Sequence, residues 1–110
     1  MRLFKLITVL LFSLWGSQAI AGTGHSHAPV EADKASVIAA NVVSNLVNQN
    51  VIGASWTSVT IASIEQKVFS GNREWVATFN NPQVADKSKQ TLYIFMTLSG
   101  EYLAANYTGK

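Results

Sequence analysis

The chain contains no cysteine. This absence excludes a disulfide scaffold, a lipid anchor on cysteine and thiol chemistry. Charged residues make up only 13% of the sequence, and neither a glycine-rich phosphate loop nor a GxSxG nucleophile motif occurs in it. A length of 110 residues allows one domain. That domain must therefore be held together by a single hydrophobic core.

Residues 1–21 have the pattern of a cleaved signal peptide. Arg2 and Lys5 give a positively charged start, the apolar run "LITVLLFSLW" follows, and a small-x-small cleavage pattern ends at Ala21. A membrane span takes about 20 apolar residues, so this run is too short to serve as an anchor. The sequence predicts cleavage after Ala21 and a periplasmic or secreted protein with no membrane anchor in its mature form.

Removal of the leader also removes the basic charge of the chain. The full sequence has eight Lys and Arg against six Asp and Glu, and two of the eight, Arg2 and Lys5, belong to the leader. The mature chain is therefore balanced at six against six. Such a chain lacks the basic surface that is typical of nucleic-acid binding, and no nucleic-acid partner is expected.

Residues 22–30, "GTGHSHAPV", predict a flexible tail that holds both histidines of the chain, His25 and His27. Neutral imidazole is a common ligand of zinc and copper, and rings two positions apart in an extended segment lie on the same side. Glu31 or Asp33 and the new amino terminus could complete such a site. Because a structural zinc site normally uses four protein ligands, two interpretations stay open: a polar spacer that eases export, or a copper or zinc site at His25 and His27.

Residues 31–110 have the pattern of a single α+β domain. Apolar residues recur first at three- and four-residue steps, which predicts an amphipathic helix from Glu31 to about Asn48–Asn50. Beyond the helix, alternation with a period of two predicts four strands, with turns at Gly71-Asn72 and Ser99-Gly100. The expected fold is one amphipathic helix packed on a four-stranded antiparallel meander sheet.

The two turns predict which residues share a face of the sheet. A turn at Gly71-Asn72 places Val68 opposite Trp75, and a turn at Ser99-Gly100 places Met96 opposite Leu103. The face toward the helix is then largely apolar. Its expected members are Ile64, Val68, Trp75, Phe79, Leu92, Ile94, Met96 and Leu103.

The opposite face of the expected sheet is also rich in large apolar residues. Three interpretations are open: cross-strand packing shielded by the tail or the long loop, a homodimer surface, or a platform for a peptide or protein partner. The face is expected to carry Phe69, Val76, Tyr93, Phe95 and Tyr102. Of these, Phe69, Tyr93, Phe95 and Tyr102 are the candidate partner-binding residues.

The sequence does not favour an enzyme. Nucleophilic catalysis needs a nucleophile, a base and a residue that orients the base, but the two imidazoles of the chain lie on the expected tail. Glu65, Glu74 and Glu101 fall at strand positions or beside turns, where solvated carboxylates are expected. No pair of carboxyl groups with contrasting environments is indicated.

Two resemblances add to this interpretation. The helix and meander ending in "SGEYLAANYTGK" resemble the small secreted PepSY-type and BLIP-like modules of bacteria, which implies a class of peptidase-inhibiting or chaperoning function. The segments "GHSHAPV", "SWTSV", "EQKVFSGNREWVATFNN" and "QTLYIFMTLSGEYLAANYTG" together resemble a small exported family of Gram-negative bacteria of unknown function, which implies export and a shared fold. The expected function is that of an exported non-enzymatic binding protein, and the alternative is periplasmic metal binding through the His-x-His tail.

Overall fold

The computed structural model describes residues 28–110. It contains one α-helix packed on a four-stranded antiparallel sheet, which confirms the predicted α+β fold. The elements are α1 (Ala32–Asn48), a 3-10 helix (Ala54–Ser58), β1 (Ile61–Phe69), β2 (Asn72–Asn80), a second 3-10 helix (Lys87–Lys89), β3 (Thr91–Thr97) and β4 (Tyr102–Asn106). The predicted leader and the histidines at positions 25 and 27 lie outside the described residues. Within them, no helix is long and apolar enough to cross a membrane.

Helix α1 begins and ends close to the predicted positions. Glu31 precedes it in an extended conformation, and Asp33 in the first turn places a negative charge at the positive end of the helix dipole. At the other end, Asn50 adopts a left-handed conformation with φ 62°. The Asn50 amide donates to the Val47 carbonyl at 3.0 Å and the Val51 amide donates to the Leu46 carbonyl at 2.9 Å. These two bonds form a Schellman motif, which explains why the helix stops there.

The sheet is a meander in which the strands lie in the order β1-β2-β3-β4. Its first hairpin exists as predicted, but the predicted register is wrong by two residues. The turn residues are Ser70 and Gly71, at φ 52° and 84°, so that Gln66, not Val68, lies opposite Trp75. Two consecutive positive φ angles are typical of a type I′ turn, which matches the twist of the flanking strands.

Each residue of this hairpin still lies on the face that was predicted for it, because a register shift of two residues does not move a side chain to the other side of the sheet. It does change how far each side chain lies from the helix. Val68 pairs with Arg73 near the tip of the hairpin, and its side chain is 55% exposed. The prediction that Val68 belongs to the buried core is therefore wrong.

The second hairpin has a longer loop than predicted. The Thr97 amide donates to the Glu101 carbonyl at 2.8 Å, so that residues 98–100 form a three-residue loop with Gly100 at φ 96°. A bulge follows, because Met96 lies opposite Tyr102 while Phe95 lies opposite Ala104. The predicted pairing of Met96 with Leu103 is therefore wrong.

This bulge moves Tyr102 to the other side of the sheet. Tyr102 was expected on the face away from the helix, but it shares a face with Met96 and belongs to the core between helix and sheet, where it is 7% exposed. The predicted placement of Tyr102 on the face away from the helix is thus wrong. Beyond the bulge the predicted register returns, with Ile94 opposite Ala105.

The core lies between α1 and the face of the sheet that α1 covers. The helix lies over β1, β2 and β3 and contributes Ala35, Ala39 and Leu46, all nearly inaccessible to solvent. Trp56 of the first 3-10 helix joins the same cluster. The sheet contributes Trp75, Ala77, Phe79, Leu92, Ile94, Met96, Tyr102 and Ala105. The apolar face of α1 and the apolar face of the sheet thus pack against each other in one core, as a two-layer fold requires.

Candidate functional site

The face of the sheet opposite α1, called the open face here, has an apolar centre. We define the apolar strip as Phe69, Val76, Tyr93 and Phe95, which lie on this face by strand register. Val76 and Phe95 are directly opposite each other on β2 and β3, and they are 1% and 5% exposed. The expected placement of Phe69, Tyr93 and Phe95 on this face is confirmed.

Phe69 lies at the end of β1 and reaches across the face onto Phe95. The two ring centroids are 5.5 Å apart and the ring planes meet at 74°, an edge-to-face arrangement that aromatic pairs prefer. Phe69 remains half-buried, as does Tyr93 on the far side of Phe95. The strip therefore presents two partly accessible rings on either side of a buried centre.

Charged residues border the strip along β1 and β2. Glu65 and Lys67 are exposed, and Lys67 lies opposite Glu74, which is half-buried. Burial raises the pKa of the Glu74 carboxyl above its usual value because the charged form loses hydration. One carboxylate of the border is thus partly dehydrated, as it would be at the edge of an apolar contact surface.

The C-terminal end of the chain folds over the Tyr93 end of the strip. The Asn106 side-chain oxygen accepts hydrogen bonds from the Thr108 amide at 3.1 Å and from the Gly109 amide at 2.8 Å. Gly109 lies against the Tyr93 ring, since a Cβ atom built on it would be 3.0 Å from both Cε2 and Cζ of Tyr93. We call residues 108–110 the C-terminal cover.

The open face is less accessible than the sequence suggested. Among residues 28–110, the large hydrophobic side chains that are strongly exposed are Val37, Val51 and Val68, and none of them belongs to the strip. The rings of the strip shield one another, and the C-terminal cover shields Tyr93. The sequence suggested the N-terminal tail or the long loop as the shield; in the structure, residues 108–110 lie against the Tyr93 end of the strip.

Asn106 is the site residue that the sequence analysis missed. It lies opposite Tyr93 in the sheet and is 5% exposed, and its side chain holds the cover in place. A usable signal was present in "NYTG", because an asparagine followed by a glycine within a few residues favours a turn closed by the asparagine side chain. The contact with Tyr93 could not be read from that signal.

The described residues contain no cluster of three or more His, Cys, Asp or Glu side chains that could hold a metal ion. The metal-site prediction for His25 and His27 falls outside the described residues and stays a prediction. Glu31 and Asp33, named as further ligands, are exposed at the start of α1.

Comparisons with curated proteins and with solved structures returned no match. A family model matches the whole chain, residues 1–110, and its description is "Family of unknown function (DUF6488)". This confirms the resemblance to a small family of unknown function that the sequence motifs suggested. The chain belongs to the DUF6488 family.

Proposed function

We propose that this protein is a small exported, non-enzymatic binding protein that engages a peptide or protein partner with the apolar strip. The observation that carries the proposal is the pair of half-buried rings, Phe69 and Tyr93, on either side of the buried Phe95 on the open face. An antiparallel sheet with one solvated face normally alternates apolar and polar residues, with the polar ones outward. The strip departs from that pattern.

The border of the strip supports the same proposal. Protein interfaces have a dehydrated apolar centre and a polar rim, and aromatic residues are enriched in the centre. Here the centre is Phe95 with Val76, and the rim is formed by Glu65, Lys67 and Glu74. A partner that combines an apolar side chain with neighbouring charges of both signs fits this surface best.

The non-enzymatic part of the proposal rests on the composition of the described domain. Both histidines precede it in the chain, and the chain has no cysteine. Export is supported by the leader pattern of residues 1–21.

Selection of a peptide library on the mature protein tests this proposal directly. Phe69→Ser should reduce the affinity of the selected peptides at least tenfold, because the ring that overlies Phe95 is lost. Val68→Ser is the matched control, since Val68 is the preceding residue and lies on the opposite side of the sheet. Its affinity should stay within about twofold of the wild type.

Circular dichroism and thermal unfolding of both variants separate loss of binding from loss of fold. Equal peptide affinity in Phe69→Ser and in the wild type would show that the strip is not the binding surface. A loss in Val68→Ser as large as that in Phe69→Ser would place binding on the other side of the hairpin.

A further inference from the structure

Strand β1 lies at an edge of the sheet and, within residues 28–110, it pairs with β2 alone. The strand at the other edge, β4, is short, with the five residues Tyr102–Asn106. By contrast, β1 has nine residues, Ile61–Phe69, and none of them is proline. A long edge strand without proline presents a row of amides and carbonyls with which another strand can pair.

The hairpin geometry determines which backbone groups of β1 point away from β2. Phe69 and Asn72 close the two-residue turn, so Phe69 exchanges both of its backbone hydrogen bonds with β2. The bonding alternates along an antiparallel pair, so every second residue before Phe69 directs its amide and carbonyl outward. These outward-pointing residues are Ile64, Gln66 and Val68.

The side chains along this edge are accessible to a second strand. Residues 65–68 are all exposed. Gln66 and Val68 lie on the side of the sheet that α1 packs against, and their exposure means that α1 leaves this part of the edge uncovered. A strand paired here would cover Val68, a large apolar side chain with more than half of its surface in solvent.

Residues 63–69 of β1 are complementary to themselves. They follow a regular register with β2, and Gln66 is the middle residue of this stretch. When two copies pair antiparallel about Gln66, Glu65 of each copy lies opposite Lys67 of the other. A lysine on an edge strand normally opposes such pairing, but here the glutamate of the second copy compensates its charge.

The same centre also matches the apolar side chains and the backbone. Ile64 of each copy lies opposite Val68 of the other, on the helix side of the sheet. The outward-pointing residues face one another, so each outward amide has a carbonyl opposite it. A centre at Ile64 or at Val68 would align the backbone equally well, but neither brings Glu65 and Lys67 together. The charges therefore select Gln66 as the centre.

We propose that two copies of this chain form a homodimer through β1, with the strands antiparallel and centred on Gln66. The two-fold axis is then perpendicular to the sheet, so that both helices lie on one side and both apolar strips on the other. The pairing uses the edge of β1 and not the apolar strip, so this proposal does not rest on the proposed function. An edge contact of this length is small, and a dissociation constant of about 10–100 μM is expected.

Sedimentation velocity of the mature protein from about 5 μM to about 1 mM tests the dimer, which should form with rising concentration. Lys67→Glu and Glu65→Lys should each weaken dimerisation at least about tenfold, because like charges then face each other on both sides of the centre. An equimolar mixture of these two variants should dimerise like the wild type, since opposite charges face each other again between unlike chains. Lys87→Glu is the matched control, because Lys87 is an exposed lysine away from β1.

Disulfide cross-linking tests the register, and the absence of native cysteine makes single-cysteine variants unambiguous. In Gln66→Cys, the two Cα atoms would be about 5.5 Å apart, within the range of a disulfide. This variant should cross-link in a glutathione redox buffer. Val68→Cys is the matched control, because positions 68 of the two copies are offset by about 13 Å along the strands and should not cross-link.

Several results would overturn the proposal. One is a monomer at every concentration, and another is a mixture of Lys67→Glu and Glu65→Lys that associates no better than either variant alone. Circular dichroism of both variants ensures that the chains are folded, and the cysteine variants give an independent answer if they are not. Cross-linking of Val68→Cys as fast as that of Gln66→Cys would contradict the centre at Gln66.

Discussion

At the scale of single residues, Glu74 at the border of the apolar strip predicts how the stability of the protein depends on pH. Burial raises the pKa of its carboxyl, so the folded state binds a proton at pH values where the unfolded chain has released it. Folding is therefore favoured when Glu74 is protonated, and this part of the stability is lost as the pH rises through the raised pKa. Glu74→Gln should increase the melting temperature at about pH 7 and lose that advantage at about pH 3.

Differential scanning calorimetry of the wild type and of Glu74→Gln at both pH values measures this effect. Glu65→Gln is the control, because Glu65 is on the same face but is exposed. An increase of the same size at both pH values would mean that the side-chain amide, and not the loss of charge, changes the stability.

The two histidines carry a second prediction at this scale. If His25 and His27 bind copper or zinc, calorimetric titration of the mature protein at about pH 7.5 should give a dissociation constant below about 1 μM, because imidazole is neutral at that pH. The His25→Ala/His27→Ala double variant should lose this binding. Binding only in the millimolar range, or equal binding by the double variant, would leave "GTGHSHAP" as a polar spacer.

At the scale of elements, the turns decide the details of the sheet, and Ser70 is the residue to change. Ser70 occupies the first position of a type I′ turn at φ 52°, where asparagine is favoured and β-branched residues are strained. Ser70→Asn should stabilise the protein by about 0.5 kcal/mol. Ser70→Val should destabilise it by about 1–2 kcal/mol.

Urea unfolding of the two variants measures both free energies against the wild type. Ser70 is exposed, so neither change alters the core, and the opposite signs come from the backbone conformation alone. Destabilisation by both variants would indicate that the turn prefers serine for a reason other than φ.

The same turns are the part of this fold that the sequence does not predict in detail. Periodicity was sufficient for α1, for the existence of four strands and for the faces of the first hairpin, because these follow from spacing alone. The loop lengths were not predictable, since "SG" at 70–71 and "SG" at 99–100 look alike but close two-residue and three-residue loops. The second loop brings a bulge, and the single extra residue reverses the facing of Tyr102.

The candidate site was predictable to a similar degree. The predicted face is correct for Phe69, Tyr93 and Phe95. In the pairings of β1 with β2 and of β2 with β3, no bulge separates these residues from the middle of their strands. The contact of Gly109 with Tyr93 was not predictable, because it joins residues on different elements and depends on the course of the chain after β4. Alternation predicts which face a residue is on, but it does not predict what covers that face.

At the scale of the whole molecule, export is the prediction on which the proposed setting of the protein depends. The full chain expressed in a Gram-negative host should appear in the periplasmic fraction or the medium, with the mass of a chain that begins at Gly22. Signal peptidase requires small residues at the last and third-last positions of the leader, here Ala21 and Ala19. Replacement of both by leucine should therefore leave the leader attached and retain the protein at the membrane.

Leucine at Ala28 is the matched control, because it adds an equal side chain beyond the cleavage position, on a residue that is exposed. This variant should be cleaved and released like the wild type. Recovery of the intact wild-type chain from the cytoplasmic fraction would contradict export. In that case a partner of the apolar strip would have to be sought among cytoplasmic proteins. The leader that precedes His25 and His27 would then remain attached to the chain.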